Sequence, residues 1–377
     1  MTTAKEQYFP GLEGVIAGET AISTISGGLQ YRGYGIEELA TRSNFDEVAY
    51  LLLHGGMPTP AELAGFRKRL SENRVIPDAV VDFIRKLPRN APAMDVLRTG
   101  VSALAHFDPD TDSNEHAADV RKAERLLARI PTLIGVRSRL KRGLEPIPPR
   151  ADLDFSANLI HMVTGKVPPE SHRKAFEVSL ILYAEHEYNA STFTARVTAS
   201  TLAGMYGAIT AAIAALKGPL HGGANERAVE VLQSVGKSSN AEKWIRDSLA
   251  RKDRIMGFGH RIYKVEDPRA RILKNFCREL AGKIGGQASD WEGVADIIER
   301  VIWDEKKLPP NVDWPAGRLY HMMGLEVELY TPIFVSSRIT GWAAHVIEQH
   351  DHNRLIRPVA RYTGPADLKY VGIDQRQ

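Results

Sequence analysis

Apolar positions recur along most of the chain at three- and four-residue spacing, and strict alternation is scarce. That spacing predicts helices over 36–54, 60–72, 120–140, 152–164, 171–186, 190–216, 224–235, 240–251, 268–281, 291–303, 315–324 and 331–350. Several of them have legible ends. Asp267-Pro268 offers an N-cap followed by proline at the first helical position, and Gly218-Pro219 stops the long alanine-rich stretch. Short strands are confined to the start of the chain, near 13–16, 20–25 and 29–31. Loops fall at 107–117, 142–151, 236–239, 282–290 and 305–314, each too short to tether separate domains. The pattern as a whole predicts an all-α fold.

Composition narrows the class. With 377 residues, 43% hydrophobic and 25% charged, the chain is that of a soluble globular protein with a large core. A net charge of +3 mildly favours anionic ligands and falls short of a nucleic-acid binder. The single cysteine, Cys277, excludes an internal disulfide framework and fits a reducing compartment, so a cytoplasmic location is expected. Met1 to Pro10 lacks the apolar run of a secretory signal. From Val197 to Leu216 no residue is charged, which reaches membrane-spanning length. Its Ala, Thr, Ser and Gly content favours a buried soluble helix instead.

Three segments carry candidate chemistry. In KGPLHGGANERAVEVL (217–232), His221 precedes two glycines and a new helix, whose positive N-terminal end disfavours imidazolium. A neutral histidine there either caps a turn or donates a hydrogen bond to a carbonyl. In RIMGFGHRIYKVEDPRARIL (254–273), a glycine turn lifts His260 out of regular structure, with Arg261, Lys264 and Arg269 following. Such a cluster is either a solvated basic loop or a seat for phosphate and carboxylate groups. A dinucleotide fingerprint is unsupported, because no strand precedes the Gly-x-Gly and no third glycine follows. In KKLPPNVDWPAG (306–317), Asp313 reads first as the cap of a helix starting near Pro315. Its second reading is a partly desolvated base beside Trp314 and the prolines.

Two further segments place charge where burial is expected. His186 and Arg196 interrupt an apolar helical pair in 180–197, and Arg338 stands among Ile333, Phe334, Val335, Ile339 and Trp342. A buried guanidinium requires an anion, either a structural carboxylate or a ligand's. His345 falls to the core or an interface. The twelve histidines show no metal-ligand spacing, so no metal site is expected.

Taken in order and spacing, GPLHGGANE (218–226), MGFGHRIYK with DPRA (256–264, 267–270), NVDWPAG (311–317) and TPIFVSSRITGWAAHVIEQ (331–349) resemble the citrate synthase family. The likeness is to its shorter bacterial and archaeal form, which includes 2-methylcitrate synthases. It extends to LQYRGYGIEELA (29–40), LLLHGGMP (51–58), MDVLRTGVSAL (94–104), AEHEYNASTFTARV (184–197) and NRLIRPVARYTGP (353–365). Two departures stand out: Ser26, where many relatives carry aspartate, and Trp314, where Phe or Tyr is common.

The resemblance implies a two-domain helical fold. Residues 1–222 and 325–377 would form the large domain, and 223–324 an inserted small domain. It implies a homodimer with shared active sites, and no cofactor beyond acetyl-CoA as substrate. Asp313 would take a proton from the acyl methyl while His221 hydrogen-bonds the thioester carbonyl. His260 would polarise the keto oxygen of oxaloacetate and supply its proton. His186, Arg269, Arg338 and a neighbouring subunit's Arg357 would hold the oxaloacetate carboxylates. Arg261 and Lys264 would meet the CoA phosphates. The product would be citrate, at the entry to the tricarboxylic acid cycle. A propionyl-CoA-using 2-methylcitrate synthase, or dual activity, is the alternative within the class, since one methylene discriminates by only about 1–3 kcal/mol. A non-catalytic CoA-binding helical dimer is the alternative outside it.

Overall fold

The computed structural model describes residues 8–260 and 262–376. Near its start lies a small antiparallel sheet in the order β1 (Ser23–Thr24), β2 (Gln30–Tyr31), β3 (Tyr34–Gly35), with Ser23 opposite Tyr31 and Gln30 opposite Gly35. The strands expected at 20–25 and 29–31 reduce to β1 and β2. The one expected at 13–16 is absent. Gly11 and Gly14 there have positive φ, a 3-10 turn covers Pro10–Leu12, and Val15 and Ile16 stay exposed with no ladder to join.

Helices make up most of the rest. The stretch predicted at 36–54 is two helices, α1 (Ile36–Arg42) and α2 (Phe45–His54), because Asn44 turns its side chain back to accept from the Glu47 amide. A capping box of Thr59 and Glu62 opens α3 (Pro60–Asn73). Two helices, α4 (Asp78–Lys86) and α5 (Ala93–Leu104), fall outside the periodic stretches read from sequence. Prolines precede both, and α4 buries only Val80 and Ile84, so its apolar stripe is short. Next come α6 (His116–Lys141), α7 (Phe155–Thr164) and α8 (Glu170–Tyr183). The last of these stops three residues before His186, leaving that histidine in a loop.

The long apolar stretch at 190–216 is also divided, into α9 (Ala190–Ala199) and α10 (Gly204–Lys217). Leu202 and Gly204 adopt positive φ at the break. The groups released there are used: Asn353 donates to the Ser200 carbonyl, and the Ile356 amide donates to Ser200 Oγ. Among the described residues no helix is long and apolar enough to cross a membrane. Then follow α11 (Ala224–Val235), α12 (Ser238–Ala250), α13 (Pro268–Ile284), α14 (Gln287–Lys306), α15 (Asp313–Met322) and α16 (Tyr330–Asp351). The loop expected at 282–290 shrinks to Gly285-Gly286, both at positive φ.

Helix α16 is the spine. Nearly every residue from Tyr330 to Ile347 is buried, against α6, α9, α8, α2, α10 and α5. Helices α11 to α15 pack chiefly on one another, and α13 touches α8 and α1. Beyond His352 the chain runs exposed, with Leu355, Val359, Tyr362, Leu368, Tyr370 and Ile373 facing outward.

Gly341 sits where α16 crosses the chain just after α8. A Cβ there would lie 2.1 Å from Glu185 Oε2 and 2.5 Å from the Ala184 carbonyl oxygen, both in buried residues. Gly341→Ala is therefore expected to destabilise the protein by about 1–3 kcal/mol, read as a lower denaturant midpoint. An unchanged midpoint would mean that the crossing adjusts without strain.

Candidate active site

Helix α10 ends at Lys217, and the chain turns back through bonds from the His221 and Gly222 amides to the Gly218 carbonyl. Gly222 allows this closeness, since a Cβ would lie 2.0 Å from the Leu216 carbonyl oxygen. His221 is thereby aimed at the start of α9. The Ser191 amide donates to its Nε2 at 3.1 Å, and Ser191 Oγ lies 2.8 Å from the same atom. An amide cannot accept, so Nε2 carries the lone pair and the proton sits on Nδ1, the nitrogen left for a ligand. Burial, and then Arg338, push the His221 pKa down to about 4.

The second glycine turn is zipped to the proline segment. Gly259 donates to the Pro309 carbonyl at 2.8 Å, the Asn311 amide to the Gly257 carbonyl at 2.9 Å, and Asn311 Nδ2 to the Gly259 carbonyl at 3.0 Å. Phe258 and Pro310 form an isolated antiparallel bridge. Residues some fifty positions apart in sequence, His260 and Asp313, are thus held on one piece of structure. His260 Nδ1 accepts from the Ile262 and Tyr263 amides at 3.2 and 3.3 Å, which places its proton on Nε2. Burial, followed by Arg269, lowers its pKa to about 4.

Asp313 is the first residue of α15 and is not its cap. Val312 holds the N-cap position, and Asn311 Oδ1 accepts from the Asp313 amide at 3.1 Å. The carboxylate is left free of capping and takes a 2.7 Å hydrogen bond from the Tyr183 hydroxyl. Burial raises its pKa above the ordinary carboxylate value, against the lowering effects of Tyr183 and Arg269. Trp314 does not enter the cleft. It is wholly buried, donates to Glu299 Oε1 at 2.9 Å, and packs 4.8 Å from the Phe258 ring, so this departure acts behind the site.

The arginines divide by how they are compensated. Arg196, whose charge the sequence left unexplained, is answered within the protein by Glu348, Gln349 and His345. Arg269 forks onto Asp267 at 3.0 and 2.8 Å, and the same aspartate accepts the Val312 amide. Arg338 is only 2% exposed, yet among the described residues no carboxylate lies within 4.0 Å of it. Its Nε donates to the Tyr183 carbonyl at 2.6 Å, and its guanidinium lies 4.5 Å from the Phe334 ring centre. His186 sits beside both arginines, 5.1 Å ring to ring from His260, with Nε2 3.2 Å from the Tyr263 hydroxyl. Burial, then Arg269 and His260, hold its pKa well below the usual value.

These groups meet in one cleft of about 240 Å³, lined by His186, His221, His260, Arg269, Asp313 and Arg338, with Asn189, Arg254, Phe258 and Phe334. Arg357 lies in the exposed tail and does not line this cleft within one chain. Lys264 is exposed and returns its Nζ to the His260 carbonyl at 3.2 Å. Arg261 lies outside the described residues. Among the described residues no group of three or more His, Cys, Asp or Glu is placed to hold a metal ion. Sequence reasoning missed Tyr183, Ser191 and Arg254. The one available signal was for Tyr183, a hydroxyl-bearing residue within an otherwise apolar helix just before His186.

The model of the family described as citrate synthase, C-terminal domain, matches residues 11–359. Citrate synthase 2 of Bacillus subtilis (strain 168) is 44% identical over 97% of this chain and 98% of its own length. The 2-methylcitrate synthase of Shewanella oneidensis is also 44% identical, over the whole of both chains. A solved ternary complex of carboxymethyl coenzyme A and oxaloacetate with citrate synthase from Thermoplasma acidophilum superimposes with a TM-score of 0.92. It is 35% identical, covering 98% of this chain and 100% of that one. This chain belongs to the citrate synthase family. It is an enzyme of the citrate (Si)-synthase type, whose members bind oxaloacetate and an acyl-CoA.

Neutral histidines make the ligand-free protein sensitive to acid. The unfolded chain takes up a proton at the ordinary histidine value near 6.5, whereas folded His221 takes it up only near 4. More protons are bound unfolded between those values, so this contribution to stability is intact above about pH 6.5 and is lost as pH falls toward 4. His221→Gln, which has no such proton to bind, is expected to lose less thermal midpoint between pH 7 and pH 5 than the unmodified protein. Parallel slopes would show that His221 titrates normally.

Proposed function

We propose that this chain condenses acetyl-CoA with oxaloacetate and water, giving citrate and CoA, at the entry to the tricarboxylic acid cycle. The observation that carries the reading is Arg338, buried with no carboxylate within 4.0 Å among the described residues, lining one cleft with Arg269 and Asp313. Two guanidiniums with donors to spare match the two carboxylates of oxaloacetate, with His186 as the third contact. Asp313, made more basic by burial, removes a proton from the acyl methyl. His221 offers Nδ1–H to the thioester carbonyl, and His260 offers Nε2–H to the keto oxygen, where negative charge develops. Both are neutral above about pH 4 and each keeps one N–H to donate. The new carbon–carbon bond joins the enol carbon to the keto carbon, and water then cleaves the thioester.

CoA approaches over the second glycine turn. Arg254 lines both the cleft and an adjoining cavity of about 350 Å³ that carries Lys252 and Lys306, and Arg261 and Lys264 follow His260 in the chain. The acyl-CoA is a substrate, and the reaction needs no further cofactor. Residues 223–324 act as a small domain closing on 1–222 and 325–377, which keeps water from the thioester until condensation. The working unit is a cytoplasmic homodimer, in which the exposed tail after His352 carries Arg357 into the other subunit's cleft. A second reading, 2-methylcitrate synthesis from propionyl-CoA, draws support from the equal identity of the Shewanella oneidensis enzyme.

Release of free CoA thiol from each acyl-CoA in the presence of oxaloacetate separates the two. The expected result is a higher kcat/KM for acetyl-CoA; a tenfold preference for propionyl-CoA would reverse the assignment. Asp313→Asn keeps the shape of the side chain and is expected to lower kcat by at least about 100-fold while oxaloacetate still binds. Near-normal turnover in that variant would remove Asp313 from the role of base.

A further inference from the structure

Helix α8 ends on a residue that touches both halves of the proposed chemistry. Tyr183 is wholly buried. Its hydroxyl donates to Asp313 Oδ1 at 2.7 Å, and its carbonyl accepts Arg338 Nε at 2.6 Å. Its ring meets Phe334 edge-on at 4.4 Å, and Phe334 also meets the Arg338 guanidinium. Among the described residues no other side chain hydrogen-bonds the Asp313 carboxylate, which lines the cleft, so Oδ2 is the oxygen without a side-chain partner.

We propose that Tyr183 is a positioning residue for the base, fixing Asp313 by one oxygen so that the other is presented to the acyl carbon. The inference rests on Asp313 being the base. An aspartate carboxylate turns about its χ2 angle with little resistance, and one directional hydrogen bond from a rigid buried ring removes that freedom. Removal of a proton from carbon depends steeply on approach geometry, because the carbon acid forms no strong hydrogen bond to guide its base. The same bond favours the ionised carboxylate and so moderates the effect of burial on its basicity. Because α8 also seats Arg338, the oxaloacetate clamp and the base share one support 130 residues away from Asp313 in sequence.

The test is the pH profile of kcat/KM for the acyl-CoA at saturating oxaloacetate. In Tyr183→Phe the ring and its packing stay while the donor is lost, so a thermal midpoint near that of the unmodified protein is expected. The kcat should fall by about tenfold or more, with the KM for oxaloacetate little changed. Without the donor the carboxylate ionises at higher pH, so the acid limb of the profile should move up by about half a unit to one unit. Site-specific 3-fluorotyrosine at position 183, a stronger donor of nearly the same shape, should move the limb the other way, and it holds even where the Phe variant folds poorly. A limb that stays in place in both variants, or an unchanged kcat in Tyr183→Phe, overturns the proposal. Asp313→Asn in the same assay separates the two levels. Retained turnover there defeats the base assignment itself, whereas loss of turnover with an unmoved Tyr183 profile defeats only the positioning role.

Discussion

Positive charge held out of water, with no carboxylate in direct contact at Arg338, organises this molecule. Arg338 sits in the middle of the most buried helix, and Arg269, compensated by Asp267, stands near it. Burying a guanidinium alone is costly, and the cost remains until an anion arrives. The surroundings follow from it. Three histidines stay neutral through burial and then through these cations, and neutral imidazoles can serve as hydrogen-bond donors of fixed direction. In two of them the proton position is set by backbone amides, from Ser191 for His221 and from Ile262 and Tyr263 for His260. The net excess of +3 across the chain is small, so attraction for an anion is local to this cleft.

Taking a proton from a carbon beside a thioester asks for a base stronger than an ordinary carboxylate and for donors that do not neutralise it. The two demands conflict in water and are reconciled by burial. Burial raises the pKa of Asp313 and lowers those of His221 and His260, moving the base and the two donors in opposite directions within one cleft. The comparison between Arg196 and Arg338 makes a related point. Both interrupt apolar helices, yet among the described residues one is in direct contact with a carboxylate of its own chain and the other has none within 4.0 Å, which separates a structural charge from a ligand-seeking one.

Much of this was legible in the sequence, because a helix announces itself by spacing within a few turns. Most helices stand where apolar periodicity put them. The exceptions have local causes: Asn44 capping α2, the positive-φ residues dividing α9 from α10, and the short stripe of α4. His221, His260 and Arg338 were visible because each sits in an unusual setting. Asp313 read as a helix cap because nothing nearby reveals that its carboxylate turns instead to the Tyr183 hydroxyl. Tyr183 and Ser191 were hidden for a different reason. Their partners lie 130 and 30 residues away, and no local pattern encodes such a meeting.

The three backbone and amide bonds that join the Gly257–Gly259 turn to the Pro309–Asn311 segment have a kinematic consequence. They make His260 and Asp313 passengers on one rigid plate, whereas His221 and Arg338 ride on the frame around α10 and α16. Any relative displacement of the two bodies leaves the spacing of the first pair constant. It alters every distance between the pairs at once. Each pair thus keeps its own register, and only the placing of one support against the other is left to be adjusted.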